Sequence, residues 1–210
     1  MRITKFGHAC VRVEYDGQAL AIDPGAWTQP DAVDGVAAVL ITHEHPDHYH
    51  PDRLRRAEAP IFTIDAVAAR IAADAPDLTE RVTVVDPGDE LDLGLHVQVV
   101  GEKHAEIHPD LPHFDNSGYL ITAGGTRLFH PGDALTVPDG QVDVLCLPVS
   151  APWLKASEVV DYARAANPGR ALAIHDLVYS EAGLGIVDGH LARLVPDLDY
   201  ARIADGSDLL

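Results

Sequence analysis

Cysteine is scarce: Cys10 and Cys146 are the two in 210 residues, and no Cys-x-x-Cys pair exists. A disulfide framework is therefore not what organises the chain, and each thiol, set in an apolar strand-like segment, reads as buried and free. Both stay outside any candidate metal site. Basic residues are also few, 15 Lys and Arg against 33 Asp and Glu, for a formal charge of −18. Such a field repels a phosphate backbone, which excludes nucleic acid as a partner, and otherwise gives a solubilising surface. There is no apolar run long enough to span a membrane, and Met1 to His8 lacks the apolar core of a signal peptide, so a soluble cytoplasmic protein without a membrane partner is expected. No Ser/Gly-rich linker or low-complexity tract interrupts the chain, and a single domain over 1–210 is expected.

Histidine, by contrast, is plentiful at 12 residues, and it is concentrated. Thr42-His43-Glu44-His45-Pro46-Asp47-His48 follows the apolar run Val36 to Ile41. That run reads as a buried strand, and imidazoles beside a carboxylate at its exit read as a divalent metal site. If the segment stays extended, His43, His45 and Asp47 share one face and His48 points elsewhere, free to serve a second ion.

The rest of the chain repeats the pattern. Two strand-like runs, Val11 to Tyr15 and Gln18 to Ile22, flank Asp16-Gly17, a strong hairpin signal, and lead to Asp23. A second hairpin, Gly118 to Thr122 and Thr126 to His130 around Gly124-Gly125, leads to Asp133. Further strands are expected at Pro60 to Ile64, near Val82 to Val85, Leu95 to Val100, Val142 to Leu147 and Ala171 to Ile174. Helices are expected over Asp65 to Ala73, with Asp65 as its cap, and Ser157 to Ala166, stopping before Asn167-Pro168-Gly169. His104 and His175 again follow apolar strands. One such terminus means little, but several converging at one sheet edge would supply ligands for two ions.

This ordered set, His43-x-His45-x-Asp47-His48, then His104, Gly132-Asp133 and His175, resembles the metallo-β-lactamase fold superfamily of metallo-hydrolases across nearly the whole chain. Gly7-His8-Ala9 with Ile22-Asp23-Pro24 is most similar to the branch that includes ascorbate-6-phosphate lactonase-like proteins. The resemblance implies an α/β (α+β) fold, a four-layer αββα sandwich of two mixed sheets with the metal site at one edge. It implies that His43, His45 and His104 hold one ion, that Asp47, His48 and His175 hold the other, and that Asp133 bridges them. Asp23 would support the ligand loop from behind. The segment Ala105 to Asp115 brings His108 and His113 close enough to compete with His104 for the third histidine position.

Two divalent ions, zinc foremost with manganese or iron as alternatives, would leave net positive charge over Asp47 and Asp133 and acidify a bridging water into a nucleophile. Asp47 could also orient that nucleophile. His8 and His130 are candidates, with His108 and His113, for assisting a leaving group. The expected activity is hydrolysis of an ester, lactone or phosphodiester bond of a small molecule. A thioester or β-lactam hydrolase, and a non-catalytic metal-binding domain, are the competing readings. Candidate pocket walls are Trp27, Ala105 to Phe114, Ser150 to Leu154 and Tyr179 to Leu184. Pro152-Trp153 serves equally as a substrate platform or as the contact of a homo-oligomer.

Overall fold

The computed structural model describes residues 1–209. Asp16 and Gly17 both take positive φ, 48° and 77°, the backbone that a two-residue hairpin turn requires. They join β2 (Cys10–Tyr15) to β3 (Gln18–Ile22), and β1 (Arg2–Phe6) pairs antiparallel on the far side of β2. Three parallel strands, β4 (Ala38–Ile41), β5 (Ile61–Thr63) and β6 (Val82–Val84), complete a six-stranded mixed sheet in the order β1 to β6. β4 is buried at every position, as its unbroken Ala-Val-Leu-Ile run demands of a strand covered on both faces.

A seven-stranded sheet follows. β7 (Glu90–Asp92), β8 (His96–Val100), β9 (Gly118–Ala123) and β10 (Thr126–His130) run antiparallel in succession. β11 (Val144–Pro148), β12 (Arg170–Ile174) and β13 (Asp199–Ala201) then add in parallel.

Alternation along the strands divides the apolar residues into layers. Val11, Val13, Leu20, Ile22 and Leu40 of the first sheet meet Val97, Tyr119, Ile121, Leu172 and Ile174 of the second in the central core. The opposite face of the first sheet packs Val39, Ile41 and Ile61 against Leu54 of α1 (Pro51–Ala57) and Val67 and Ile71 of α2 (Asp65–Asp74). The outer face of the second packs Leu145, Ala171 and Ala173 against α3 (Ala156–Ala166) and α4 (Glu181–Leu194). The result is the αββα sandwich.

Several expectations need correction. Asp65 is the first residue of α2 rather than its cap; Ile64 holds that position with no side-chain bond, and the carboxylate serves the helix dipole from the first turn. α4 occupies a region read as a pocket wall beginning at Tyr179. Its glycines, Gly183, Gly185 and Gly189, mask the helical signal, while Leu184, Val187 and Leu191 against the second sheet supply its stability. α1 was not foreseen, although His50-Pro51 is a good helix start: Pro51 stands in the first turn and the His50 ring accepts from Asp52 N–H at 3.3 Å. No helix among the described residues is long and apolar enough to cross a membrane.

Candidate metal centre

The strand directions gather the polar residues at one end of the sandwich. β1, β3 and β4 release His8, Asp23 and His43 to His48 from their C-terminal ends, and β8, β10 and β12 release His104, Asp133 and His175 from the facing sheet. The loop after β4 does not stay extended. A turn closed by His48 N–H and Tyr49 N–H on the His45 carbonyl, at 3.0 and 2.9 Å, rotates Asp47 away from His43 and His45.

Two donor groups share Asp133. His43, His45, His104 and Asp133 present ligand atoms within 4.8 Å of one another, and so do His48, Asp133 and His175. Asp133 is common to both: its Oδ1 lies 3.1 Å from His48 Nε2, and its Oδ2 lies 3.3 Å from His104 Nε2 and 3.2 Å from His175 Nε2. Asp47 Oδ2 stands 3.3 Å from His175 Nε2 and 3.8 Å from His48 Nε2, on the side of the second group.

The unused ring nitrogens are tied down, which fixes the tautomers. His48 Nδ1 donates to Asp23 Oδ2 at 2.7 Å, and His104 Nδ1 donates to the Ala105 carbonyl at 2.6 Å. His175 Nδ1 donates to the Ser150 carbonyl. The Thr42 hydroxyl gives its proton to Asp23 Oδ2 at 2.7 Å, so it can only accept from His43 Nδ1 at 3.0 Å. In each of these four histidines Nε2 is left facing inward. Among the described residues, the buried Nε2 atoms of His48, His104 and His175 and Oδ1 of Asp133 have no hydrogen-bond partner. Buried polar atoms are rarely left so, and imidazole nitrogens with carboxylate oxygens aimed at shared points are the donor chemistry of a divalent cation. The residues fit a divalent metal ion.

Electrostatics agrees. Burial would raise the Asp133 carboxyl, yet His48 and His175 beside it hold it well below the usual range. Asp47 is likewise driven down, burial being outweighed by the imidazoles of His175 and His8 beside it. Burial opposes charge on His175 too, but Asp133 and Asp47 raise it to about 9. His43 and His45 are pushed down, chiefly by burial and then by neighbouring histidines. A cation would thus compete with a proton at His175 and meet imidazoles at His43 and His45 that disfavour protonation.

His108 is exposed, with Nδ1 accepting from Asp110 N–H at 3.1 Å, and His113 Nε2 donates to the His104 carbonyl at 2.7 Å. Neither joins the cluster, so His104 is the third histidine of the first group. His130 is buried with both nitrogens engaged by backbone, Nε2 donating to the Ala9 carbonyl at 2.8 Å and Nδ1 accepting from Gly132 N–H at 3.2 Å. It has no free atom to offer a leaving group, and the catalytic assignment made for it is corrected to an anchor of the Asp133 turn. Cys10 and Cys146 are buried, free and outside both groups.

Some supporting residues gave no signal in the sequence. Asn116 is buried and accepts from Asp133 N–H at 3.1 Å while donating to the Pro131 carbonyl at 2.9 Å. Lys5 is buried against Asp176 at 3.1 Å and Asp205 at 3.2 Å, so Asp176 turns away from the centre. Trp153, by contrast, was a candidate pocket wall, and its Nε1 donates to Asp133 Oδ2 at 3.1 Å. An Asp-Pro turn did point to Asp23, whose carboxylate accepts from Thr42 N–H at 2.8 Å as well as from Thr42 Oγ1 and His48 Nδ1. Asp23→Ala leaves three buried donors unpaired. We expect ion affinity at the His48 position to fall by about 10- to 100-fold in metal titrations, with stability reduced by about 1–3 kcal/mol per stranded donor in urea unfolding.

A two-sheet αββα sandwich with this histidine and aspartate cluster at one edge defines a metallo-β-lactamase fold protein. The chain belongs to the beta-lactamase superfamily, whose domain profile matches residues 2–175, a span that includes His8 and closes on His175. It is 43% identical over 201 residues to protein Rv0786c of Mycobacterium tuberculosis, covering 92% of each chain. It is 28% identical over 160 residues to a UPF0173 metal-dependent hydrolase of Xanthobacter autotrophicus, covering 69% of this chain and 63% of that one. Among solved structures, Igni18, a novel metallo hydrolase from Ignicoccus hospitalis, superposes with a TM-score of 0.72 at 19% identity, over 99% of this chain and 97% of its own.

Proposed function

We propose that the protein is a dinuclear metal-dependent hydrolase that cleaves an ester, lactone or phosphodiester bond of a small molecule. The observation that carries this reading is the pair of donor groups sharing Asp133, with inward ligand atoms buried and otherwise unpartnered. Similarity to a UPF0173 metal-dependent hydrolase supports it. His43, His45 and His104 would hold the first ion, Asp47, His48 and His175 the second, with Asp133 common to both; zinc suits this set best, with manganese or iron as alternatives.

Ions so held would lower the pKa of water from roughly 15.7 to about 7 and polarise the oxygen under attack. The protein's part is placement. Asp23, Thr42, Ser150 and the Ala105 carbonyl keep the ring nitrogens aimed, and Trp153 N–H holds the Asp133 oxygen nearest the first group. The side chain of Asp47, 18% exposed against 3% for Asp133, is the carboxylate that meets solvent, and from the edge of the second group it would orient the attacking water. Beside Trp153 lies a cavity of about 650 Å³ bordered by Ile107, Leu135, Leu154, Lys103 and Lys155. Its size suits a small molecule, and a lining that mixes these apolar and basic side chains with Glu106 and Glu158 suits a substrate having both an apolar part and a polar one.

Metal-loaded protein offered lactone, ester, phosphodiester, thioester and β-lactam substrates should turn over one of the first three. His45→Ala should abolish that turnover. Unchanged turnover in the variant would refute the assignment, and silence across the panel at full metal loading would favour a binding domain.

A further inference from the structure

His8 is fully buried, yet its Nε2 has no hydrogen-bond partner among the described residues. It stands 3.5 Å from Asp47 Oδ2 and, with Asp47 and His175, forms a third group whose donor atoms lie within 4.8 Å. A nitrogen so placed could ligate an ion, give up a proton to a leaving group, or orient a neighbour. The far side of the ring decides between them. Leu177 N–H donates to His8 Nδ1 at 3.0 Å, so Nδ1 carries the lone pair and Nε2 carries the hydrogen. An N–H cannot ligate a metal. A neutral imidazole is also a weak general acid, because losing its one N–H proton leaves an imidazolate.

Orientation remains, and the surroundings suit it. The ring is wedged edge-on against Trp27, with centroids 4.7 Å apart, and tilted against His175 at 3.9 Å. The His8 carbonyl accepts from His175 N–H at 2.7 Å, which helps hold His175 at a φ of 56°, a left-handed conformation unusual for a non-glycine residue. One residue thus faces both Asp47 and His175.

We propose that His8 is a positioning residue for the second ion: its Nε2–H aims the Asp47 carboxylate, with the tautomer set by the Leu177 backbone amide. The proposal rests on the two-ion reading above. It also couples the centre to the segment after β12, where Leu177, Val178 and Tyr179 are exposed.

The test compares zinc titrations of wild type, His8→Phe and His8→Gln, with nitrogen-15 NMR of the zinc-loaded wild type. Expected are a His8 ring bare at Nδ1 and protonated at Nε2, and a His8→Phe variant that keeps the first ion but binds the second about 10- to 100-fold more weakly. kcat should fall with KM little changed. His8→Gln, which retains an N–H donor, should recover part of the lost affinity. An unchanged second-ion Kd in His8→Phe, or a loaded wild type with His8 protonated at Nδ1, would overturn the proposal; the NMR readout stands even if the variant fails to fold. A wild type that binds a single ion overturns this inference and the two-ion reading together. A wild type that binds two ions and cleaves nothing overturns the hydrolase reading alone.

Discussion

Asp133→Ala should reduce bound zinc from two ions per chain to one or fewer and remove hydrolysis altogether. Asp133 is the residue common to both donor groups, with one oxygen toward His48 and the other toward His104 and His175. Without it, His48 and His175 face each other as like charges or as neutral rings with nothing between them, and Trp153 N–H loses its acceptor. Lewis-acid stabilisation by bound metal is worth several kcal/mol, and each ~1.4 kcal/mol is a factor of ten in rate. A loss in kcat/KM of at least about a thousandfold is therefore expected, measured on whichever substrate the wild type cleaves. Circular dichroism should show the sandwich intact, because the central and outer cores include no part of Asp133. Retained turnover with two bound ions would show that Asp133 does not join them.

Gly25→Ala should do comparable damage from outside the donor set. The turn after Asp23 lies directly under the ligand loop: Ala26 N–H donates to the Pro46 carbonyl at 2.8 Å, and Gly25 N–H to the Asp23 carbonyl at 2.8 Å. A Cβ on Gly25 would overlap the Asp47 carbonyl and lie 2.5 Å from His48 N. Those atoms are backbone and cannot swing aside, so either the Asp23 turn or the Asp47-His48 peptide must move. Overpacking of this kind costs about 1–3 kcal/mol or more, and a misplacement near 1 Å at a reacting centre can cost about 100-fold in rate. Metal titration should show the second ion weakened more than the first, since Asp47 and His48 both serve it and His43 and His45 precede the clash. Equal affinity at both positions, with wild-type melting temperature, would contradict this geometry.

How much of this was readable without coordinates differs from residue to residue. The hairpins at Asp16-Gly17 and Gly124-Gly125, the buried strand before His43 and the polar strand ends were all visible, because each is a local pattern of turn residue, alternation or apolar run. The partition of the β4 loop was not derivable from its spacing. An extended segment would place His43, His45 and Asp47 together, and a turn closed on the His45 carbonyl separates them. His130 looked as available as His8, and only the backbone groups around each ring distinguish them. α4 was hidden by glycines, since its helicity comes from packing rather than propensity. Asn116 and Lys5 are ordinary residues in sequence, and their role arises from contacts across many residues; Trp153 stood out as a candidate pocket wall, but its bond to Asp133 did not.

The central claim is that two ions share Asp133 in one centre, and equilibrium dialysis against zinc with elemental analysis tests it most directly. Wild type should saturate at two ions per chain, with His45→Ala losing the first and His8→Phe weakening the second. Saturation at one ion, or at none, would contradict it.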